Sequence, residues 1–167
     1  MAAPAIAKLG HIGLFVRDVQ RQKAFYRDVL GLTVSDEAPG TVFMSSQPET
    51  EHHELLLREG RTDPDAKVVQ QLSFRCNSLD DVIGYYRRFK QHDVKIERIL
   101  SHGNAVGLYF FDPEGNRCEV YWPTGLKAHQ PFAIPVDLDR PQSELMADIH
   151  EQVRQYGATG TGSVPAR

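Results

Sequence analysis

His11-Ile12-Gly13-Leu14-Phe15-Val16-Arg17-Asp18 and, at an offset of 60, Gln71-Leu72-Ser73-Phe74-Arg75-Cys76-Asn77-Ser78 are the stretches whose comparison decides the fold. Apolar residues alternate in both. Ile12, Leu14 and Val16 in one, and Leu72, Phe74 and Cys76 in the other, have the period of a strand with one apolar face. The opposite faces carry His11, Gly13 and Phe15, or Gln71, Ser73 and Arg75. Each stretch ends on a residue suited to cap a helix, Asp18 or Ser78, and Ser78 with Asp81 reads as a capping box. The spacing predicts helices from Val19 to Leu30, ended by Gly31 in a left-handed conformation, and from Leu79 to Gln91. Val19 matches Leu79 and Tyr26 matches Tyr86, so the likeness continues into the helices.

Three β-like runs follow each helix: 32–35, 41–45 and 54–58, then 94–99, 105–111 and 117–122. Asp112-Pro113-Glu114-Gly115-Asn116 has the residues a turn requires. The unit therefore reads βαβββ, twice. Agreement in cap position, strand face and strand count makes duplication a better account than chance. The expected class is α+β, with paired βαβββ modules forming a curved, cup-like mixed sheet around a metal site. One domain spans 1–167, with modules at 9–60 and 66–125 and a C-terminal extension at 126–167. In that extension Pro131, Pro135 and Pro141 interrupt an extended chain before Ser143 caps a helix. Leu145, Ile149 and Val153 give this helix one apolar stripe, and the residues from Gly157 onward read as a mobile tail.

A chain of 167 residues with 41% hydrophobic and 25% charged residues has the composition of a globular protein rather than a disordered one. Its net charge of −3, with signs interspersed, gives no basic face for a phosphate backbone, so nucleic acid is not expected as a partner. No run is long enough to cross a membrane. No signal-peptide pattern opens the chain, and two cysteines do not make a secreted scaffold. A reducing, cytoplasmic setting is the expectation.

Duplication brings equivalent inner-face positions together, and four are nominated: His11, Gln71, Glu54 and Glu119. Imidazole, amide oxygen and carboxylate are donors that bind divalent first-row metals. A carboxylate within an otherwise apolar strand is costly to bury unless paired or ligating, which singles out Glu119.

Gly10-His11-Ile12-Gly13-Leu14, Phe25-Tyr26 with Leu30-Gly31-Leu32, and Asp112 to Asn116 leading to Glu119 resemble the vicinal oxygen chelate superfamily over about Leu9 to Gly125. That superfamily includes glyoxalase I, fosfomycin and bleomycin resistance proteins, and type I extradiol dioxygenases. The resemblance implies a metal held by His11, Gln71 and Glu119. Glu51-His52-His53, Asn77 to Val82, and Tyr109 ahead of Glu119 are most similar to the catalytic half of an extradiol dioxygenase. That likeness implies Fe(II), or alternatively Mn(II) or another divalent metal. It also implies His53 as acid/base, Tyr109 as a hydrogen-bonding partner of substrate oxygen, and His102 as a further contact. The chain departs from the dioxygenase pattern at Gln71, where that group has a second histidine. Glutamine is a ligand in some glyoxalase I proteins.

Ligand charge divides the readings. One carboxylate leaves M(II) at net +1, suited to a catecholate, whereas adding Glu54 neutralises it, suited to proton transfer in an isomerase or lyase. His53 and Glu54 are adjacent in a strand and so point to opposite faces, and one of them enters the cavity. The function expected first is a metal-dependent extradiol-type dioxygenase cleaving a catechol-like aromatic with dioxygen. The alternatives are a glyoxalase-like isomerase or lyase using His11, Glu54, Gln71 and Glu119, and a non-catalytic protein that binds a small molecule. A homodimer is a further expectation.

Overall fold

The computed structural model describes residues 9–66 and 69–161. The chain divides into two compact units, residues 1–66 and 67–167. In the first, β1 (Ile12–Val16) leads into α1 (Val19–Asp28), followed by β2 (Thr33–Ala38), β3 (Thr41–Ser45) and β4 (Leu55–Glu59). In the second, β5 (Leu72–Arg75), α2 (Leu79–Gln91), β6 (Ile96–Ser101), β7 (Ala105–Phe111) and β8 (Arg117–Pro123) repeat the order. The extension adds β9 (Ile134–Pro135) and α3 (Gln142–Tyr156). The α+β expectation is borne out, with one open mixed sheet in each unit.

The first sheet has the order β1-β4-β3-β2 and the second β5-β8-β7-β6-β9. In both, the first and last strands of the βαβββ unit run parallel, Ile12 opposite Leu55 and Ser73 opposite Glu119, while the others pair antiparallel. The repeat extends to irregularities: β2 and β6 each carry a register shift, between Val34 and Asp36 and between Ile96 and Arg98. A shift of this kind re-aims the side chains beyond it, and it sets Arg98 directly opposite Tyr109.

Local chemistry accounts for the helices. The Asp18 carboxylate accepts from the Arg21 N–H at 2.9 Å. Ser78 and Asp81 form the reciprocal box, Oγ accepting from Asp81 N–H and Oδ2 from Ser78 N–H. Gly31 takes φ +79° just past α1, and its N–H and that of Leu32 reach back to Arg27 and Tyr26 carbonyls. The α3 start differs from expectation. Ser143 lies inside the helix, whose N-cap is Pro141 with no side-chain cap bond. Pro141 holds an extended backbone before the first turn, and its carbonyl accepts from Glu144 and Leu145.

Helix α1 lies on β2, β3 and β4, and α2 on β7 and β8. The first core gathers Leu14, Val16, Val19, Tyr26, Val42, Met44, Leu55 and Leu57, all buried; the second gathers Leu79, Val82, Phe89, Val106, Leu108, Phe110 and Val120. These side chains leave one face of each sheet for other chemistry. At the turn between β7 and β8 the Asp112 carboxylate accepts from the Glu114 and Asn116 N–H groups and from Asn116 Nδ2, and Gly115 sits at φ +78°. The mobile tail expected from Gly157 onward does not hold for residues 157–161, where the Gly157, Gly160 and Thr161 N–H groups bond to the Val153, Tyr156 and Pro131 carbonyls and Thr161 is buried; residues 162–167 lie outside the described residues.

Candidate functional site

Two groups of polar side chains form, one in each unit. In the first, His11 directly precedes β1 and projects on the side of Gly13, opposite buried Leu14 and Val16. Gly13 is opposite Leu56, which is opposite Phe43, so these three form a row across the sheet. His53 comes to this side: its ring centroid is 4.3 Å from that of His11 and 5.1 Å from that of Phe43. Its Nδ1 is 2.9 Å from His52 Nδ1. Burial first, then the neighbouring His11 and His52, holds the His53 imidazole below its ordinary pKa, so the neutral base is favoured.

Glu54 is engaged elsewhere. Its Oε2 accepts from Ser46 N–H at 2.7 Å and from Ser46 Oγ at 2.5 Å. The strand alternation expected for His53 and Glu54 does not apply, because β4 begins at Leu55 and residues 51–54 form a bent approach to it. Freed from the pleat, His53 swings to His11 while Glu54 satisfies the Ser46 backbone.

In the second unit Gln71, Ser73, Glu119 and Tyr109 share one side of the sheet. Ser73 is opposite Glu119, which is opposite Tyr109. Glu119 is 6% exposed, and its burial is compensated. Oε2 accepts from Gln71 Nε2 at 2.9 Å and from Ser73 Oγ at 2.7 Å, while Gln71 Nε2 also donates to Ser73 Oγ at 2.6 Å. This closed set fixes the amide with its nitrogen toward the carboxylate. Gly107 provides the space beyond: a Cβ there would stand 2.3 Å from Glu119 Oε1.

Tyr109 is 6% exposed and held well above its ordinary pKa, by burial first and then by hydrogen bonding to the Glu119 carboxylate and its charge, against the opposing Arg98 and Arg117. The two guanidinium carbons lie 5.1 and 4.8 Å from the Tyr109 ring centroid. His102 completes the row, its Nε2 2.7 Å from Tyr109 Oη and its Nδ1 2.7 Å from the Phe132 carbonyl oxygen.

The structure thus brings His11 to His53 in one unit and joins Gln71, Glu119, Tyr109 and His102 in the other. Ser73, Gly107, Arg98 and Arg117 were not nominated as site residues. Ser73 had a signal in its shared strand face with Gln71; the roles of Gly107 and the arginines depend on strand register. Among the described residues no group of three or more His, Cys, Asp or Glu side chains gathers as a metal cluster, so the candidate donor set depends on the Gln71 amide. The chemistry of that set fits a divalent metal. Glu119 is a buried carboxylate with Oε1 facing room that a side chain at position 107 would fill, and the Gln71 nitrogen bond to Glu119 reserves the amide oxygen as the atom that would meet a cation. Among the described residues no helix is long and apolar enough to cross a membrane.

Comparison with known proteins adds a frame. The family model described as Glyoxalase/Bleomycin resistance protein/Dioxygenase superfamily matches residues 8–120. A manganese-dependent 2,3-dihydroxybiphenyl 1,2-dioxygenase from Geobacillus genomosp. 3 is 28% identical over 120 residues, 70% of this chain and 37% of the relative. The chain thus spans little more than a third of that enzyme's length. Among solved structures, fosfomycin resistance protein FosX from Listeria monocytogenes is similar with a TM-score of 0.59 and 20% identity, covering 72% of this chain and 96% of that one. Lactoylglutathione lyase from Agrobacterium tumefaciens has a TM-score of 0.58 and 23% identity, covering 71% and 95%. The two structures share the fold.

Proposed function

Since the chain belongs to the Glyoxalase/Bleomycin resistance protein/Dioxygenase superfamily, we propose that it is a metal-dependent, extradiol-type dioxygenase that cleaves a catechol-like aromatic ring. His11, Gln71 and Glu119 are the proposed ligands, with Fe(II) or Mn(II) as the metal. When bound, that metal would supply a Lewis-acidic centre for the catechol oxygens and for dioxygen.

The observation that carries the reading is the division of labour between His53 and Glu54. The His53 ring, its neutral form favoured, lies tilted beside His11 with centroids 4.3 Å apart, placed to act as a base for a substrate hydroxyl, while Glu54 Oε2 accepts from both the N–H and the Oγ of Ser46. With Glu54 so engaged, the proposed ligand set keeps a single carboxylate. The isomerase or lyase alternative requires that glutamate as a fourth ligand. Tyr109 supplies a phenol kept protonated beside Glu119, able to hold a substrate oxygen in place. Gln71 and Ser73 hold Glu119 in one orientation.

The test is anaerobic loading with Fe(II) or Mn(II), then aerobic assay with 2,3-dihydroxybiphenyl, catechol and related diols. Yellow ring-cleavage product is expected with at least one diol. Product with none of them, together with turnover of a glutathione hemithioacetal or tight metal-independent binding of an aromatic, would overturn the proposal.

A further inference from the structure

Residues 126–161 lie beyond the stretch that matches the family model, yet they are fastened to the loop carrying His102. We infer that this extension is a positioning element: the Phe132 carbonyl fixes the proton of His102 on Nδ1 and makes Nε2 an acceptor for Tyr109.

A carbonyl oxygen only accepts, so the 2.7 Å contact between His102 Nδ1 and Phe132 O requires a proton on Nδ1. In the neutral ring Nε2 then carries the lone pair, and the Tyr109 hydroxyl 2.7 Å away donates to it. That bond commits the hydroxyl proton to His102. The Tyr109 oxygen therefore keeps its own lone pairs for an incoming donor, such as the hydroxyl of a diol. This last consequence rests on the proposed dioxygenase reading; the tautomer does not.

The fastening explains why the carbonyl stays in place. Gln130 bridges both segments, its Nε2 donating to His102 O at 3.0 Å and its Oε1 accepting from Phe132 N–H at 3.0 Å. Strand β9 pairs with Leu100 and Ser101, immediately before His102. Thr161 holds the other flank, donating from its N–H to Pro131 O and accepting from Ala133 N–H. Phe132 is 1% exposed. The approach is close enough that a Cβ at Gly103, which sits at φ +70°, would come 2.5 Å from Ala128 Cβ.

Nitrogen-15 correlation spectra of imidazole-labelled full-length protein at a pH where His102 is neutral read the tautomer directly. The native protein is expected to show the Nδ1–H pattern for His102, and Gln130→Ala to shift that resonance set toward an Nε2–H mixture. A merely structural role for Gln130 would alter stability without moving the tautomer. An Nε2–H pattern in the native protein, or a Gln130→Ala spectrum in which His102 is unchanged, overturns the inference. Gly103→Ala gives a second perturbation of the same contact. The spectrum is independent of turnover, so an Nδ1–H pattern in a protein inactive on every diol sinks the dioxygenase proposal and upholds the positioning one.

Discussion

Replacing Gly107 by alanine tests the central packing claim about Glu119. The added Cβ would stand 2.3 Å from Glu119 Oε1, 3.1 Å from Tyr109 Cε2 and 3.4 Å from Glu119 Cδ. The first contact is short of ordinary separation by about 1 Å. Retreat of the carboxylate is opposed by Gln71 and Ser73, which hold its other oxygen. Overpacking a buried site costs about 1–3 kcal/mol, and breaking a donor bond to a buried carboxylate adds about 1–3 kcal/mol. The two are coupled, so a net loss of about 2–4 kcal/mol is expected. Gly84 is the control: it is exposed within α2 and nothing lies within 4 Å of its added Cβ. There alanine should stabilise by about 0.5–1 kcal/mol. Urea unfolding of the three proteins, with metal titration by calorimetry, measures both effects. In an Glu119→Ala background the Gly107→Ala cost should shrink, because its main obstacle has gone. Wild-type stability and wild-type metal affinity for Gly107→Ala would refute the reasoning.

Glu54→Ala should lower stability by about 1 kcal/mol through lost Ser46 bonds and leave ring cleavage intact. His53→Gln should instead slow turnover by about 10²–10⁴-fold with little change in unfolding midpoint; the opposite pattern, read by steady-state kinetics, favours isomerase chemistry. Burial, and then the Asp81 charge, pushes the Cys76 thiol up to about 11, and Cys118 is 0% exposed. Neither should react with Ellman's reagent at about pH 8 in the native state, and both should react in urea; rapid native labelling would contradict the burial described. Ser78→Ala removes the α2 cap and should cost about 1 kcal/mol, measured by thermal unfolding.

The sequence made the modules legible because their signals are local. Asp18, Ser78 and Asp81 act within one helical turn, alternation marks β1 and β5, and the Asp112 turn is closed by its own carboxylate. Glu119 was legible as a costly charge in an apolar strand. What escaped depends on contacts between distant positions. The bend at residues 51–54 invalidated a parity argument that assumes a pleated strand, and Ser46, eight residues earlier, claimed Glu54. Gly107 means little until register places it beside Glu119. Ser143 resembled a cap, but the chain enters α3 earlier, at Pro141. Phe132 contributes a backbone oxygen, which no side-chain pattern announces.

The parallel pairing of β5 with β8 bears on the order in which the second unit assembles. Ser73 meets Glu119 across 46 residues of chain, whereas β7 and β8 are joined by a tight turn. Closing the longer loop costs more entropy and returns nothing until β6, β7 and β8 already offer an edge. Refolding thus makes hairpins and helices first. The carboxylate gains its two donors only when β5 docks, so the Gln71–Ser73–Glu119 set is expected to close late in refolding.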